Sequence, residues 1–286
     1  MGHHRAREHH VRRVRRRAGL RPGLVAIDPA LALKLVLTPL LIATASLAGR
    51  RWGHAISGWL VGIPFTSGPI TLFLFLERGA DFAANAALGS MVGVLATAAF
   101  AVEFSAVARR GANIVVSFVA GLLAFAIIGA AAQDLAIAPI PLYAICAVVL
   151  VVAIRLVPDP GLTASVPLPR WDLPARMVVA TALVIAITSG AGALGPRLAG
   201  LLATIPLYAS ILAGFGFQLV GRDAAIRVWR GLLFGLFGFG AFYLVVAAGL
   251  GSLGIWAFAA ALGTALVMQA ITLRSIRRAP TAPIGT

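Results

Sequence analysis

Residues Ile114–Ala132 have the sequence IVVSFVAGLLAFAIIGAAA, a run without a charged residue. A helix needs about 20 mostly apolar residues to cross the hydrocarbon core of a bilayer. Eight other segments have the same character: Leu31–Ala48, Ala55–Leu76, Asn85–Ala108, Pro139–Leu156, Pro174–Ala191, Leu198–Leu219, Ala225–Ala248 and Leu253–Leu273. The sequence therefore predicts an all-α integral membrane protein with about nine transmembrane helices.

The composition excludes other classes of protein. Of the 286 residues, 60% are hydrophobic and 12% are charged, whereas a soluble domain is about 45–50% apolar and about 25% charged. A disordered chain would be far more polar, and the single cysteine, Cys146, excludes a disulfide scaffold. The sequence contains no phosphate-binding loop and no His-Glu-x-x-His motif. We therefore expect neither an enzyme nor a bound cofactor or metal.

One unit occurs twice in the chain. Gly53 aligns with Gly195, a shift of 142 residues, and the same shift aligns residues from Lys34 to about Gly121 without a gap. Ile63-Pro64 meets Ile205-Pro206, and Gly89 meets Gly231. A register of proline and glycine that holds through four spans indicates an internal duplication.

The number of spans predicts how the two copies are oriented. Five predicted spans separate the start of one copy from the start of the next, and an odd number reverses the second copy in the membrane. The sequence thus predicts two inverted-topology repeats, the plan of several secondary transporters. The predicted organisation is a basic tail (1–30), a first repeat with a connecting helix (31–157), a proline-rich linker (158–173), a second repeat (174–274) and a C-terminal tail (275–286).

The net charge of +15 is interpreted as a topology signal. Arginines follow the odd-numbered spans, as in Arg50-Arg51, Arg109-Arg110 and Arg222. The positive-inside rule places these links, and with them the C-terminus, in the cytoplasm of a bacterial inner membrane. The expected partners are the lipid bilayer and a small-molecule solute, and no nucleic acid.

The first residues conflict with this orientation, because eight arginines precede the first span. Either the first span is re-entrant, or residues 1–24 are foreign to the natural protein and translation starts near Val25. We favour the second explanation. The histidines of this tail lack a folded cage, so no metal site is predicted there.

Two proline breaks mark the candidate site. Residues Pro64–Pro69 and Pro206–Ser210 lie about ten residues into matched spans, and thus near the bilayer centre. Proline frees a carbonyl one turn back, and neighbouring hydroxyls supply further polar groups. The alternative is a simple kink whose hydroxyls bond back to the helix. The candidate substrate-binding residues are Pro64, Thr66, Ser67, Pro69, Pro206, Tyr208 and Ser210.

Isolated polar and small residues carry further predictions. Glu103 is the deepest acid and is a candidate for proton coupling, with an ion pair to Arg109 as the alternative. Asp81 and Asp223 are predicted helix N-caps, and Gln269 needs a partner helix. The glycines from Gly231 to Gly240 are expected to pack internally, with a homodimer as the alternative. The five tryptophans are expected to lie mostly near the membrane interfaces: Trp52, Trp59, Trp171, Trp229 and Trp256.

The second copy contains AGLLATIPLYASILAGFGFQLVGRDAAIRVWRGLLFGLF, from Ala199 to Phe237. This segment and its counterpart in the first copy resemble the small bacterial GlpM-type membrane proteins, which are linked to alginate production. The first copy departs from the pattern at Pro69 and at Glu77-Arg78. The resemblance implies a four-span unit used in duplicate in a cell-envelope setting, and it supplies no catalytic residue.

Two functions follow from these patterns. The leading expectation is a secondary transporter or exporter of a small solute, with its site at the two breaks. The alternative is a non-transporting membrane component of cell-envelope polysaccharide assembly. A transporter should have a polar cavity at the breaks, whereas an assembly component should be dry there.

Overall fold

A computed structural model of the chain describes residues 29–64, 67–161, 169–190, 201 and 204–278. Within these residues every regular element is a helix, so the predicted all-α class is confirmed. The N-terminal tail and Thr66 lie outside the described residues. The helices are α1 (Pro29–Trp52), α2 (His54–Val61), α3 (Ser67–Arg78), α4 (Ala80–Arg109), α5 (Ile114–Ala132), α6 (Pro139–Leu156), α7 (Asp172–Gly190), α8 (Leu207–Leu219), α9 (Arg222–Leu253) and α10 (Trp256–Arg278).

Five of the described helices, α4, α5, α6, α9 and α10, are long and apolar enough to cross a membrane. The outward faces of α5, α6 and α10 carry many exposed large apolar side chains, as a lipid-facing surface requires. The chain is thus a membrane-embedded helical protein. The second predicted span is divided into α2 and α3 around Pro64. The full count of nine spans stays a prediction.

Matched helices begin at matched positions. α4 begins at Ala80 and α9 at Arg222, while α5 begins at Ile114 and α10 at Trp256, so both pairs differ by 142 residues. Gly79 and Gly221 precede α4 and α9 with φ of 87° and 124°. This backbone conformation strongly favours glycine. The helix starts therefore recur with the same local structure.

The N-cap prediction for Asp81 and Asp223 is wrong. Gly79 and Gly221 occupy the N-cap positions, and the two aspartates lie in the first turns of α4 and α9. A carboxylate there still interacts favourably with the helix dipole, typically by about 0.3–1 kcal/mol. The aspartates therefore favour the helix starts electrostatically, without capping them.

The long helices α4 and α9 form the centre of the molecule and run antiparallel. Phe104, near the end of α4, packs against Trp229, near the start of α9, with ring centroids 5.3 Å apart. At the other end of the pair, Ser90 of α4 hydrogen-bonds Tyr243 of α9. The matched pair α1 and α7 is also antiparallel, because Arg50 at the end of α1 contacts Asp172 at the start of α7.

Glycines bring α2 against α9. A Cβ added at Gly58 would overlap the Val228 carbonyl oxygen, and one added at Gly231 would overlap that of Ala55. Farther along, Gly62 and Gly235 meet backbone to backbone. The predicted small-residue face is thus used for packing within the chain. Gln269 of α10 donates to the Gly235 carbonyl oxygen at 2.8 Å, so it has the partner helix that the sequence predicts.

Two of the tryptophans lie inside the protein and not on its lipid-facing surface. Trp229 is fully buried among Phe100, Phe104 and Phe118. Trp59 is buried as well, and its indole nitrogen donates to Thr272 at 3.1 Å. Trp229 is held by aromatic packing and Trp59 by its hydrogen bond, and the sequence pattern does not distinguish either from an interfacial tryptophan. The exposed tryptophans are Trp52, Trp171 and Trp256.

Candidate functional site

A small cavity of about 60 Å³ lies between the two proline breaks. The break between α2 and α3 contributes Ile63 and Ser67, and the segment leading into α8 contributes Thr204 and Tyr208. The central helices supply the remaining walls, including Val94 and Thr97 of α4 and Leu232, Leu236 and Phe239 of α9. Residues far apart in sequence thus meet where the matched breaks face each other.

Four hydroxyl groups line this cavity, which we call the central cavity: those of Ser67, Thr97, Thr204 and Tyr208. Thr97 donates to the carbonyl oxygen of Thr204, two residues before Pro206, at 3.2 Å. The Tyr208 and Thr38 hydroxyl oxygens are 3.0 Å apart. A proline break leaves carbonyls without a helical donor, and here a hydroxyl from α4 satisfies one of them.

A second group of hydroxyls lies next to the central cavity and is buried: Ser67, Thr71, Ser90 and Tyr243. The Tyr243 hydroxyl lies within hydrogen-bonding reach of the other three side chains, and its oxygen is 3.4 Å from that of Thr71. Sequence analysis missed this cluster. Comparing the two copies could have found it, because the residues matched to it are the apolar Ala209, Ala213, Leu232 and Ala101.

The predicted site residues divide into three groups. Ser67, Pro206 and Tyr208 line the central cavity. Pro64 is buried beside Ile63, one of the lining residues, whereas Pro69 is half-buried and outside the lining. Ser210 faces a separate apolar groove on the outside of α8. The structure therefore brings together residues of both breaks, but not all seven candidates.

Ion pairs, by contrast, lie at one end of the helices. The Asp172 carboxylate is fully buried and accepts from Arg176 Nε at 2.8 Å and from Arg50 Nη2 at 2.9 Å. Asp159 lies 3.5 Å from Arg227 Nε and 3.8 Å from Arg230 Nε. These are the ion pairs of the described residues, so the pair between Glu103 and Arg109 that the sequence left open is absent there. Glu103 is half-buried on α4 and does not line the central cavity.

The same end of the molecule gathers most of the arginines in the described part of the chain. The Arg50–Asp172 pair joins the end of α1 to the start of α7, and Gly111, after α4, lies near Arg222 at the start of α9. Burial, with Arg176 and Arg227 nearby, lowers the pKa of His54, which precedes the second predicted span. We call this the basic end; its arginines are Arg50, Arg51, Arg109, Arg110, Arg155, Arg170, Arg176, Arg222, Arg227 and Arg230.

The opposite end is much less charged. It carries Glu77 and Arg78 at the end of α3, Asp81 at the start of α4, and Asp134 after α5. The 30 residues of α4 separate the two ends, which is about 45 Å at 1.5 Å per residue. The described charges are thus segregated along the helix axes.

Comparison of the chain with family models, curated proteins and solved structures finds no match. The resemblance to GlpM-type membrane proteins therefore stays a prediction.

Proposed function

We propose that this chain is a bacterial inner-membrane secondary transporter or exporter of a small solute. Two inverted repeats would move relative to each other about the breaks at Pro64 and Pro206. The observation that carries the proposal is the central cavity, which both breaks form together and four hydroxyls line. Broken helices that meet at mid-depth with polar groups are the usual substrate site of inverted-repeat transporters.

The direction of the helices supports the inverted arrangement. If the two copies were parallel, matched helices would run in the same direction. Instead, α4 is antiparallel to α9, and α1 is antiparallel to α7. A pseudo-two-fold axis in the membrane plane would produce this relation.

The segregation of charge supports an orientation. The basic end fits the cytoplasmic side, because short loops rich in arginine are retained there. The opposite end, with Glu77, Arg78 and Asp81, then faces the periplasm. Arg274, near the end of α10, belongs with the basic end because α10 is antiparallel to α9. In the proposed orientation the C-terminus therefore lies on the cytoplasmic side of the inner membrane.

The size of the central cavity bears on the mechanism. A volume of about 60 Å³ is room for about two waters at roughly 30 Å³ each. Sites that hold small organic molecules are about 300–1,000 Å³. The cavity must therefore widen to admit a solute, and the breaks around Pro64 and Pro206 are where α3 and α8 can swing away from the central helices.

Water access to the central cavity tests the proposal. Cys146 is replaced by Ala, and a single cysteine is introduced as Thr97→Cys, which lines the cavity, or as the buried neighbour Ala96→Cys, which does not. A membrane-impermeant thiol reagent is applied to right-side-out and inverted vesicles. We expect the cysteine at 97 to react from at least one side and the cysteine at 96 to stay unmodified.

The double variant Pro64→Ala/Pro206→Ala tests the role of the breaks in the same assay. Continuous helices should keep the fold but reduce labelling at position 97 to the level at position 96. Labelling that is unchanged by the double variant would contradict the proposed movement. The melting temperature of each variant distinguishes lost movement from lost fold.

The alternative function makes the opposite prediction. A non-transporting component of polysaccharide assembly needs no water at its centre, so position 97 should be inert from both sides. The polar lining of the central cavity supports the transporter, and the labelling decides between the two, because the hydroxyls of Thr97, Thr204 and Tyr208 also have hydrogen-bond partners within the protein.

A further inference from the structure

A second concave surface lies on the outside of the molecule and meets the central cavity at Leu207. It is a groove of about 510 Å³ between α5, α7 and α8. Its lining is almost entirely apolar and includes Ile114, Phe118, Val179, Ile211, Gly214 and Phe215. We call it the lateral groove. An apolar groove on a membrane-embedded surface is open to the hydrocarbon of the bilayer.

The length of the lateral groove matches one leaflet. Its lining follows α8 from Leu207, at the proline break, to Leu219, next to the basic end. These residues span about 18 Å along the helix axis, and half of a hydrocarbon core is about 15 Å. The groove therefore runs from the bilayer centre to one surface, whereas a transmembrane partner helix would continue through both leaflets.

The width of the groove also argues against a partner helix as its occupant. A volume of about 510 Å³ over about 18 Å gives a mean cross-section of about 28 Å². A helix only 10 Å in diameter already needs about 80 Å². The groove is thus too narrow for a helix and suits one extended hydrocarbon chain.

Exposed cations surround the end of the groove that reaches the surface. Arg109 and Arg110 lie just before Ile114, Arg170 precedes Trp171, and Arg222 follows Leu219. In the described part of the chain none of these four arginines forms an ion pair. The acids beside them are the exposed Asp223 and the buried Asp172, which is already paired with Arg50 and Arg176. Arginine binds phosphate through charge-assisted, often bidentate hydrogen bonds.

From these observations we infer that the lateral groove is a binding site for an anionic phospholipid of the surrounding leaflet. One acyl chain fills the groove beside α8, and the phosphate headgroup lies among Arg109, Arg110, Arg170 and Arg222. Trp171, which lines the groove and is 57% exposed, lies at headgroup depth, where tryptophan is favoured. The site shares Leu207 with the central cavity, but the inference does not rest on the transport proposal.

Lipid binding to the full-length protein in detergent tests the inference. Phosphatidylglycerol and phosphatidylcholine with the same acyl chains are each titrated, and bound lipid is counted by native mass spectrometry. We expect one tightly bound phosphatidylglycerol per chain. Each arginine near an anionic headgroup contributes about a fivefold factor in affinity, so phosphatidylcholine should bind at least about tenfold more weakly.

Matched variants test the contacts of the lipid acyl chain separately from those of the headgroup. Gly214→Leu fills the groove; its Cβ would be 3.7 Å from the Phe118 ring, an ordinary contact. The control Gly263→Leu makes the same change at an open position on α10. Gly214→Leu should lower phosphatidylglycerol binding by about tenfold or more, and the control should leave it unchanged. If Gly214→Leu fails to fold, Val179→Phe blocks the same groove from α7.

A second set of variants tests the contacts of the arginines with the lipid headgroup. The triple change Arg109→Gln/Arg110→Gln/Arg222→Gln should remove the preference for phosphatidylglycerol, while Arg78→Gln at the opposite end should preserve it. Equal binding of the two lipids by the unmodified protein would overturn the inference. Equal phosphatidylglycerol binding by the Gly214→Leu and Gly263→Leu proteins would also overturn it. So would a mass spectrum in which Gly214→Leu removes a second copy of the protein from the complex and leaves the bound lipid in place.

Discussion

The Asp172 carboxylate has no contact with solvent, and two arginines take the place of water around it. Their side chains differ in exposure: Arg176 is 6% exposed and Arg50 is 34% exposed. If Asp172 lost its charge, Arg50 could turn into solvent, whereas Arg176 would remain as a buried cation without a counterion. Removing one member of a buried ion pair typically costs about 3–5 kcal/mol.

Asp172→Asn should therefore lower the free energy of unfolding by about 3 kcal/mol. The comparison is Asp159→Asn, because Asp159 is 37% exposed and its pairs are longer, 3.5 and 3.8 Å. Its partners Arg227 and Arg230 are 14% and 19% exposed, so this variant should also lose stability, but less than Asp172→Asn. Thermal melting in detergent compares the two.

The buried arginine is the specific reason for the expected loss. Adding Arg176→Met to Asp172→Asn removes the uncompensated charge and should recover much of the stability. Equal melting temperatures for the Asp172→Asn and Asp159→Asn proteins would contradict this account of the ion pairs.

At the scale of single residues, the sequence indicates few of the contacts between residues that are far apart in the chain. Asp172 and Arg176 are four residues apart, a spacing that favours an ion pair on one helix face. The partner Arg50 is 122 residues away, however, and nothing local indicates that contact. Residues 158–173 instead suggested an extended linker because of their prolines, yet α7 already begins at Asp172.

At the scale of helices, the contact of α2 with α9 depends on glycine at Gly58 and Gly231. A methyl group at either position would overlap a backbone carbonyl oxygen of the other helix, and a backbone carbonyl cannot rotate away. Gly58→Ala and Gly231→Ala should each lower the free energy of unfolding by about 1–3 kcal/mol, as overpacking does.

Gly263→Ala is the control for this prediction. Gly263 also lies within a helix, but no atom lies within 4 Å of an added Cβ. Because alanine favours helix over glycine, this variant should melt at the same temperature or higher. The account of the α2–α9 contact fails if all three alanine variants melt alike.

Helix boundaries were largely predictable, because their signals are local. The predicted spans Ile114–Ala132 and Pro139–Leu156 agree with α5 and α6 to the residue. The divided second span was predictable as well, since proline breaks a helix wherever it lies in the interior. The hydroxyl cluster around Tyr243 and the lateral groove depend on how distant helices pack, which apolar periodicity alone does not specify.

At the scale of the whole molecule, the central proposal is that the two copies are inverted. Asp81 and Asp223 report on it most directly, because they are matched residues in the first turns of α4 and α9, and both are exposed. Inverted copies place them on opposite sides of the membrane, and parallel copies place them on the same side.

The most direct measurement is cysteine labelling of the full-length protein in intact cells. In a Cys146→Ala background, Asp81→Cys and Asp223→Cys are treated with a membrane-impermeant maleimide before and after permeabilisation, with Arg110→Cys as a second marker of the basic end. The proposal predicts that the cysteine at 81 reacts in intact cells and that those at 223 and 110 react only after permeabilisation. Labelling of 81 and 223 from the same side would contradict the inverted repeat, and with it the transport mechanism built on the two breaks.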